Sequence, residues 1–465
     1  MDMMIRLDSH SGKKLYEQIY EYIKSEIREG KLLRDERLPS TRILARNLQV
    51  SRSTVDVAYE QLVSEGYIYA LPGSGYYVSA IEDLFQTRDF KKERIASEVV
   101  LEKNYTIDFS TSAIDRNLFP LAIWKKLSKQ VLVDDYEDLF RLGSSQGEKK
   151  LREVIARYLH ASRGMEVLPE QLIVGAGNEY LLLLLDKLFQ EKRTIALEVP
   201  TYKKAFQCFE SFGYQVEKIK MDSQGIDVCK LSNTSADLAY VMPSHQFPTG
   251  CVMPISRRLE LLKWANEGEK RYIIEDDHDS EFRYKGKPIP ALRSIDTSDK
   301  VIYLGTFSKA IAPAIRISFM VLPIELLQVY QKDYRFFSST VSRIDQNVLE
   351  VFISEGHFER HLNRMRMCYK TKHDFLMREI KALKKEFVIT GEHAGTFLVL
   401  TSKKGIFEEE LLQKAEKVGV KLYPLTQGFY GNKETDMDNS VLLGYGGLSL
   451  EEIKTGLQLL EKAFL

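Results

Sequence analysis

The sequence predicts two folds in one chain: a small winged helix-turn-helix unit, helical with a β-hairpin wing, over residues 1–80, and an α/β domain on a largely parallel sheet over 107–465. Three observations predict this. Apolar residues recur at helical spacing three times before residue 65, then alternate at strand spacing on both sides of Pro72-Gly73-Ser74-Gly75. Beyond residue 106, short β-rich runs alternate with longer helical stretches. At 465 residues and 44% apolar content, the chain is too long for one small core.

In the first unit, Leu15, Ile19, Tyr22, Ile23 and Ile27 lie on one helical face, and Gly30 closes that helix. Pro39 and Ser40 start a second helix with Ile43, Leu44 and Leu48 on its inner face. Ser51 caps a third, whose Val55, Ala58, Tyr59 and Leu62 turn inward. That leaves Arg52, Ser53 and Thr54 outward in its first turn, where a recognition helix reaches base edges. The runs from Gly66 to Ala70 and from Gly75 to Val78 form the wing.

Charge supports nucleic-acid binding locally, not globally. The chain is formally neutral, and residues 1–80 balance eleven basic against eleven acidic side chains. Between Arg37 and Val55, however, stand Arg37, Arg42, Arg46 and Arg52 with no acid, a concentration of positive charge suited to phosphates. Cys208, Cys229, Cys251 and Cys368 show no paired or metal-like spacing, so free thiols and no metal are expected. The N-terminus has acids and no apolar core of a signal peptide, and the longest apolar run, Tyr180 to Leu185, is too short for a bilayer. A cytoplasmic protein without a membrane partner is expected. Residues 81–106, charged in their first part and weakly periodic, read as a linker.

In the α/β region, strands are expected at Thr194–Val199, Leu238–Met242, Tyr272–Glu275, Val301–Leu304 and Ile317–Leu322, with ligands at their carboxyl ends. Gly305-Thr306-Phe307-Ser308-Lys309 follows one of them, and a lysine there can form a Schiff base with an aldehyde once its pKa is lowered. Arg316 and the hydroxyls of Thr306 and Ser308 can hold a phosphate, as can the helix start at Gly177-Asn178. Asp276 can keep a pyridinium nitrogen protonated, and Tyr202 can stack on a ring.

The stretch LPSTRILARNLQVSRSTVDVAYEQLVSEGYIYALPGSGYYV resembles the DNA-binding domain of GntR-type regulators. That resemblance implies DNA contacts from Arg42, Arg52, Thr54 and Gly73. The order and spacing of the second set resemble fold-type I, class I aminotransferases over 107–465. The two halves in this order, with PSHQFPTG, IEDDHDSEF and YLGTFSK, resemble the MocR/GabR group of GntR regulators. This implies pyridoxal 5'-phosphate on Lys309, a head-to-tail homodimer, and transcriptional control of an operator coupled to ligand chemistry.

The sequence departs from the family pattern at the cofactor's ring and at the substrate clamp. Phe247 stands where class I aminotransferases place an Asn that bonds the cofactor's ring hydroxyl, and His278 where related regulators place a Tyr for the same contact. The arginine that clamps a substrate carboxylate is also missing. The chain reads Tyr423-Pro424-Leu425-Thr426-Gln427 and has no arginine after Arg378, while Lys204 replaces a second arginine of the GABA-responsive relative. Absent or slow transamination is therefore expected, with pyridoxal phosphate itself or an amine as effector, and vitamin B6 or amino-acid metabolism genes as targets. The alternative is an active aminotransferase with an accessory DNA module.

Overall fold

The computed structural model describes residues 5–8, 12–80, 104–134, 139–284, 289–426 and 438–465. The chain divides into two compact units, Met1–Leu101 and Glu102–Leu465. The expected linker lies outside the described residues up to position 103.

The first unit comprises α1 (Leu15–Arg28), α2 (Thr41–Leu48), α3 (Arg52–Ser64), β1 (Ile68–Leu71) and β2 (Gly75–Val78). Helix α1 buries Ile19, Ile23 and Ile27, one residue per turn at four-residue spacing. Ser40 caps α2 by accepting the Ile43 N–H at 3.3 Å. The inner face of α2 differs from the expected one: Thr41, Leu44 and Ala45 are buried, whereas Ile43 is 52% exposed. Spacing explains this, because Leu44 and Thr41 share a face at i, i+3 and Ile43 points a quarter-turn away. Helix α3 buries Val55, Ala58, Tyr59 and Leu62 as expected, and the Tyr59 hydroxyl donates to the Pro39 carbonyl at 2.9 Å. In the wing, Leu71 pairs with Gly75 across Pro72-Gly73-Ser74. Gly73 takes φ +75°, a left-handed turn conformation that side chains with a Cβ avoid.

The second unit is built on an eight-stranded sheet. Its strands run in the spatial order Leu172–Gly175, Ser318–Val321, Val301–Thr306, Tyr272–Asp277, Leu238–Val241, Thr194–Val199, Gln215–Asp222 and Gly225–Ile226. Ser318–Val321 and the short Gly225–Ile226 run opposite to the other six, which share one direction. Alternate residues enter different cores: Ile302 and Leu304 pack with Leu197 and Tyr240, Tyr303 with Phe319 and Val174, and Val301 with Ile273 and Trp264. A sheet apolar on both faces must be covered on both, which is why its strands read as near-continuous apolar runs. A four-stranded antiparallel sheet, Phe387–Thr390, Phe397–Ser402, Ser440–Gly444 and Tyr423–Pro424, packs with the helices Glu408–Lys417 and Leu450–Phe464 around its own core.

Candidate functional site

The chemistry gathers at one end of the large sheet, where Leu172–Gly175, Val301–Thr306 and Tyr272–Asp277 finish and the antiparallel Ser318–Val321 begins. Ser318 pairs with Gly175 on one side and with Thr306 on the other. In the next parallel pair, Asp276 lies beside Leu304 and Asp277 beside Gly305. The strands Tyr272–Asp277 and Val301–Thr306 each run two residues past the expected ends, because ladder pairing continues into the polar residues.

Strand alternation separates the two acids. The Asp276 carboxylate accepts from Asn178 Nδ2 at 3.2 Å and from the Tyr240 hydroxyl. Asp277 points to the opposite face, into a buried salt bridge with Arg163 at 2.8 Å and a hydrogen bond from the Tyr303 hydroxyl at 2.5 Å. Burial pushes the Asp276 pKa up, against the opposing pull of His278 and of the two hydrogen bonds.

Lys309 lies in the turn after Thr306, half-buried, and its Nζ donates to the Thr111 carbonyl at 2.5 Å. Burial lowers its pKa while the nearby Asp279 carboxylate raises it, and burial wins. The net result is an amine more easily neutral than an ordinary lysine.

Next to it stand the residues expected to form an anion cup. Gly177, at φ +102°, leads into the helix Asn178–Leu188, whose first N–H groups have no partner within the helix. A Cβ on Gly177 would come within 2.2 Å of Arg316 Nη2, so the guanidinium lies directly against this glycine. Thr306 Oγ1 sits between two hydroxyls, donating to Ser308 Oγ at 3.0 Å and accepting from Ser318 Oγ at 2.9 Å. Glu179 also reaches into the cup, accepting from Arg316 Nη2 at 3.0 Å and from Lys204 Nζ at 3.1 Å.

The remaining expected residues form an aromatic wall. The ring of Phe247 meets Tyr202 edge-on at 6.3 Å, His278 at 6.1 Å and Phe397 at 5.5 Å. His278 stacks on His245 at 6.3 Å, and its Nε2 is 3.5 Å from Asp279 Oδ1. His245 Nδ1 is 2.9 Å from the same oxygen. His245, His278 and Asp279 are the group among the described residues whose donor atoms could converge on a metal ion. Their hydrogen bonding already engages the Asp279 carboxylate, which the two imidazoles hold far below the usual range against the effect of its burial.

On the first unit, Arg42, Arg52 and Ser53 are exposed and Thr54 is half-exposed. Ser51 Oγ lies 2.9 Å from Ser53 Oγ and 2.7 Å from Thr54 Oγ1, so both hydroxyls are tied to the cap. Arg52 Nε is 3.5 Å from Asp56. Arg37 donates to the Ser74 carbonyl at 2.5 Å and so braces the wing tip.

Residues 15–78 match the family described as bacterial regulatory proteins, gntR family, and residues 106–426 match aminotransferase class I and II. The chain is 38% identical to the HTH-type transcriptional regulator YdeL of Bacillus subtilis over 100% of both proteins. It is 32% identical to the probable rhizopine catabolism regulatory protein MocR of Rhizobium meliloti, over 99% of this chain and 96% of that one. The chain belongs to the MocR-type GntR regulators. It is also 28% identical to PdxR, the pyridoxine biosynthesis transcriptional regulator of Corynebacterium glutamicum, over 96% of this chain and 95% of that one. Among solved structures it resembles the α-aminoadipate aminotransferase LysN of Thermus thermophilus, with TM-score 0.66 and 26% identity over 77% of this chain and 91% of that one. The multiple substrate aminotransferase of Thermococcus profundus is similar at TM-score 0.68 and 25% identity, over 79% and 94% of the two chains.

This MocR-type regulator thus joins a helix-turn-helix reader to an aminotransferase fold. Besides Glu179, sequence reasoning missed four residues of the candidate site. Asp279 was legible as the last polar residue of Asp276-Asp277-His278-Asp279, and His245 as the polar neighbour of Gln246 before Phe247. Tyr240 sits inside an apolar strand and Thr111 contributes only a backbone carbonyl, so neither carries a local signal.

Proposed function

We propose that the aminotransferase-like unit of this transcriptional regulator holds pyridoxal phosphate and uses it for sensing, and that the ligand state changes binding of the winged unit to an operator. The carrying observation is the meeting of three chemistries at neighbouring strand ends: the depressed amine of Lys309, the buried carboxylate of Asp276, and the anion cup of Gly177, Thr306, Ser308 and Arg316. The residues suit the group. Having no Cβ, Gly177 lets the guanidinium lie directly against the turn into the helix, next to the Thr306 and Ser308 hydroxyls, and these donors match a phosphate. LysN, which shares the fold, is described in complex with a phosphopyridoxyl-leucine adduct.

In this reading Arg316, the two hydroxyls and the helix start at Asn178 bind the phosphate, and Lys309 supplies the amine. Asp276, oriented by Asn178 and Tyr240, would keep the ring nitrogen protonated, Tyr202 would stack on the ring, and His278 would offer its hydroxyl a hydrogen bond. When bound, the cofactor supplies an aldehyde that captures primary amines reversibly and an electron-withdrawing ring. Lys204 is engaged by Glu179, which makes it a poor clamp for an amino-acid carboxylate and favours sensing over turnover. Gln427, the other weak clamp candidate, lies outside the described residues. On the DNA side, Arg42 and Arg52, with Ser53, Thr54 and Gly73, form the contact surface. Head-to-tail pairing, a cytoplasmic location and control of vitamin B6 or amino-acid metabolism genes belong to the same proposal. No helix among the described residues is long and apolar enough to cross a membrane.

The test is binding of the full-length protein to DNA from its own upstream region, titrated with pyridoxal phosphate and repeated for Lys309→Ala. A shift in affinity or footprint in the wild type alone supports cofactor sensing. DNA binding indifferent to the cofactor in both proteins points to a separate amine effector. Rapid multiple-turnover transamination of a common amino acid would overturn the sensing reading.

A further inference from the structure

In the proposed function Glu179 serves only as the partner of Lys204, yet its carboxylate also reaches Arg316 in the anion cup. It is the second residue of the helix Asn178–Leu188 and bridges two cations, with Arg316 Nη2 at 3.0 Å on one oxygen and Lys204 Nζ at 3.1 Å on the other. Burial alone would raise its pKa, but its own N–H, Lys204 and Arg316 outweigh burial and hold it low, so the group is charged at neutral pH.

Arg316 offers Glu179 the same nitrogen, Nη2, that lies against Gly177 at the helix start. Its backbone sits in the left-handed region at φ +54°, and its guanidinium presses on the Gly177 backbone, where even a Cβ would come within 2.2 Å. A phosphate entering the cup and the Glu179 carboxylate therefore compete for one guanidinium. Two like charges that close repel strongly where water is partly excluded. Lys204 gives the displaced carboxylate somewhere to go, because it already holds the other Glu179 oxygen from outside the cup.

We infer that Glu179 sets the affinity of this cup for phosphate monoesters, acting as an internal anion that yields Arg316 to the phosphate and reclaims it on release. Lys204 is its positioning partner, drawing the carboxylate away from Arg316. The inference deepens the cofactor reading and rests on it: reversible retention is what separates a sensor of pyridoxal phosphate from an enzyme that keeps it. It also predicts selectivity, since pyridoxal, which lacks the phosphate, does not meet Glu179.

The test uses full-length Glu179→Gln, which keeps the side chain's shape and removes its charge. Absorbance titrations with pyridoxal phosphate and with pyridoxal are compared with wild type. Pyridoxal phosphate is expected to bind about tenfold tighter and to dissociate more slowly, as removal of one nearby like charge implies. Pyridoxal affinity is expected to stay within about twofold. Unchanged or weaker binding of pyridoxal phosphate, or an equal gain for pyridoxal, overturns the inference. Lys204→Ala is expected to weaken pyridoxal phosphate binding in the wild-type background and to have no effect in Glu179→Gln. A loss of similar size in both backgrounds overturns the role of Lys204 through Glu179. Inorganic phosphate, measured by calorimetry in the Lys309→Ala background, separates this inference from the cofactor reading. Tighter phosphate binding with Glu179→Gln supports it even if no aldehyde is captured, and equal phosphate affinity overturns it even if the cofactor reading stands.

Discussion

Lys309 and Asp279 show how single charges tune the site. Burial lowers the Lys309 pKa and Asp279 raises it, so the amine becomes neutral at a lower pH than a free lysine, whose pKa is about 10.4. The rate at which the protein captures pyridoxal phosphate should rise with pH and level off below that value. Asp279→Asn removes the group that favours the ammonium, so the inflection should move to still lower pH; stopped-flow absorbance across pH checks this, and a shift upward would refute the electrostatic account. Glu198 makes an opposite case. It is fully buried, its Oε2 accepts a long 3.3 Å bond from the Met242 N–H, and burial outweighs that bond and the pull of Gln246 and Ile226, raising its pKa to about 7. A folded pKa above the unfolded one favours the folded state at pH below about 4.5, and that advantage is lost as pH rises to about 7. Glu198→Gln should therefore leave stability near that of wild type in acid and raise it above pH 7 by at most about 3 kcal/mol, read from denaturant midpoints.

Helix starts are the elements on which both halves depend. In α3, Ser51 caps the helix and its hydroxyl also gathers those of Ser53 and Thr54, so one residue fixes the first turn of the reading face. Ser51→Ala should cost about 1 kcal/mol of stability, seen in thermal melts, and weaken operator binding as that turn frays. In the second unit, the turn into Asn178–Leu188 demands glycine at 177, where φ +102° and ψ 165° suit no other residue and Arg316 fills the space. Gly177→Ala should lower pyridoxal phosphate affinity by more than tenfold, measured by absorbance, because the added methyl moves the guanidinium. The need for a glycine before this helix was legible from Gly175-Ala176-Gly177-Asn178. The packing of Arg316 on it was not, since 139 positions separate the two and only the neighbouring strands Leu172–Gly175 and Ser318–Val321 bring them together.

Across the whole molecule, the two units have separate cores, one on Ile19, Leu44, Val55 and Leu62 and the others on the strands of the large and small sheets. Separate cores imply separable defects. Arg42→Ala should reduce the salt slope of operator binding by about one unit and leave cofactor absorbance intact. Lys309→Ala should abolish the cofactor absorbance while the cofactor-free protein still binds DNA. Loss of both functions in Arg42→Ala, seen in filter binding and absorbance, would refute separable units.

The sequence by itself determined the two fold classes and five of the eight strands of the large sheet to within two residues, because periodicity, turn residues and strand-end motifs are local properties of the chain. Ile43 marks the limit of that reading, as an apolar residue next to the buried stripe rather than on it. Only the tertiary structure decided that Lys204 spends its charge on Glu179, that Asp276 and Asp277 serve opposite faces, and that Thr111 meets Lys309 across 198 positions. Partners of this kind are chosen by how strands and helices stack, and their distances along the chain carry no trace of that choice.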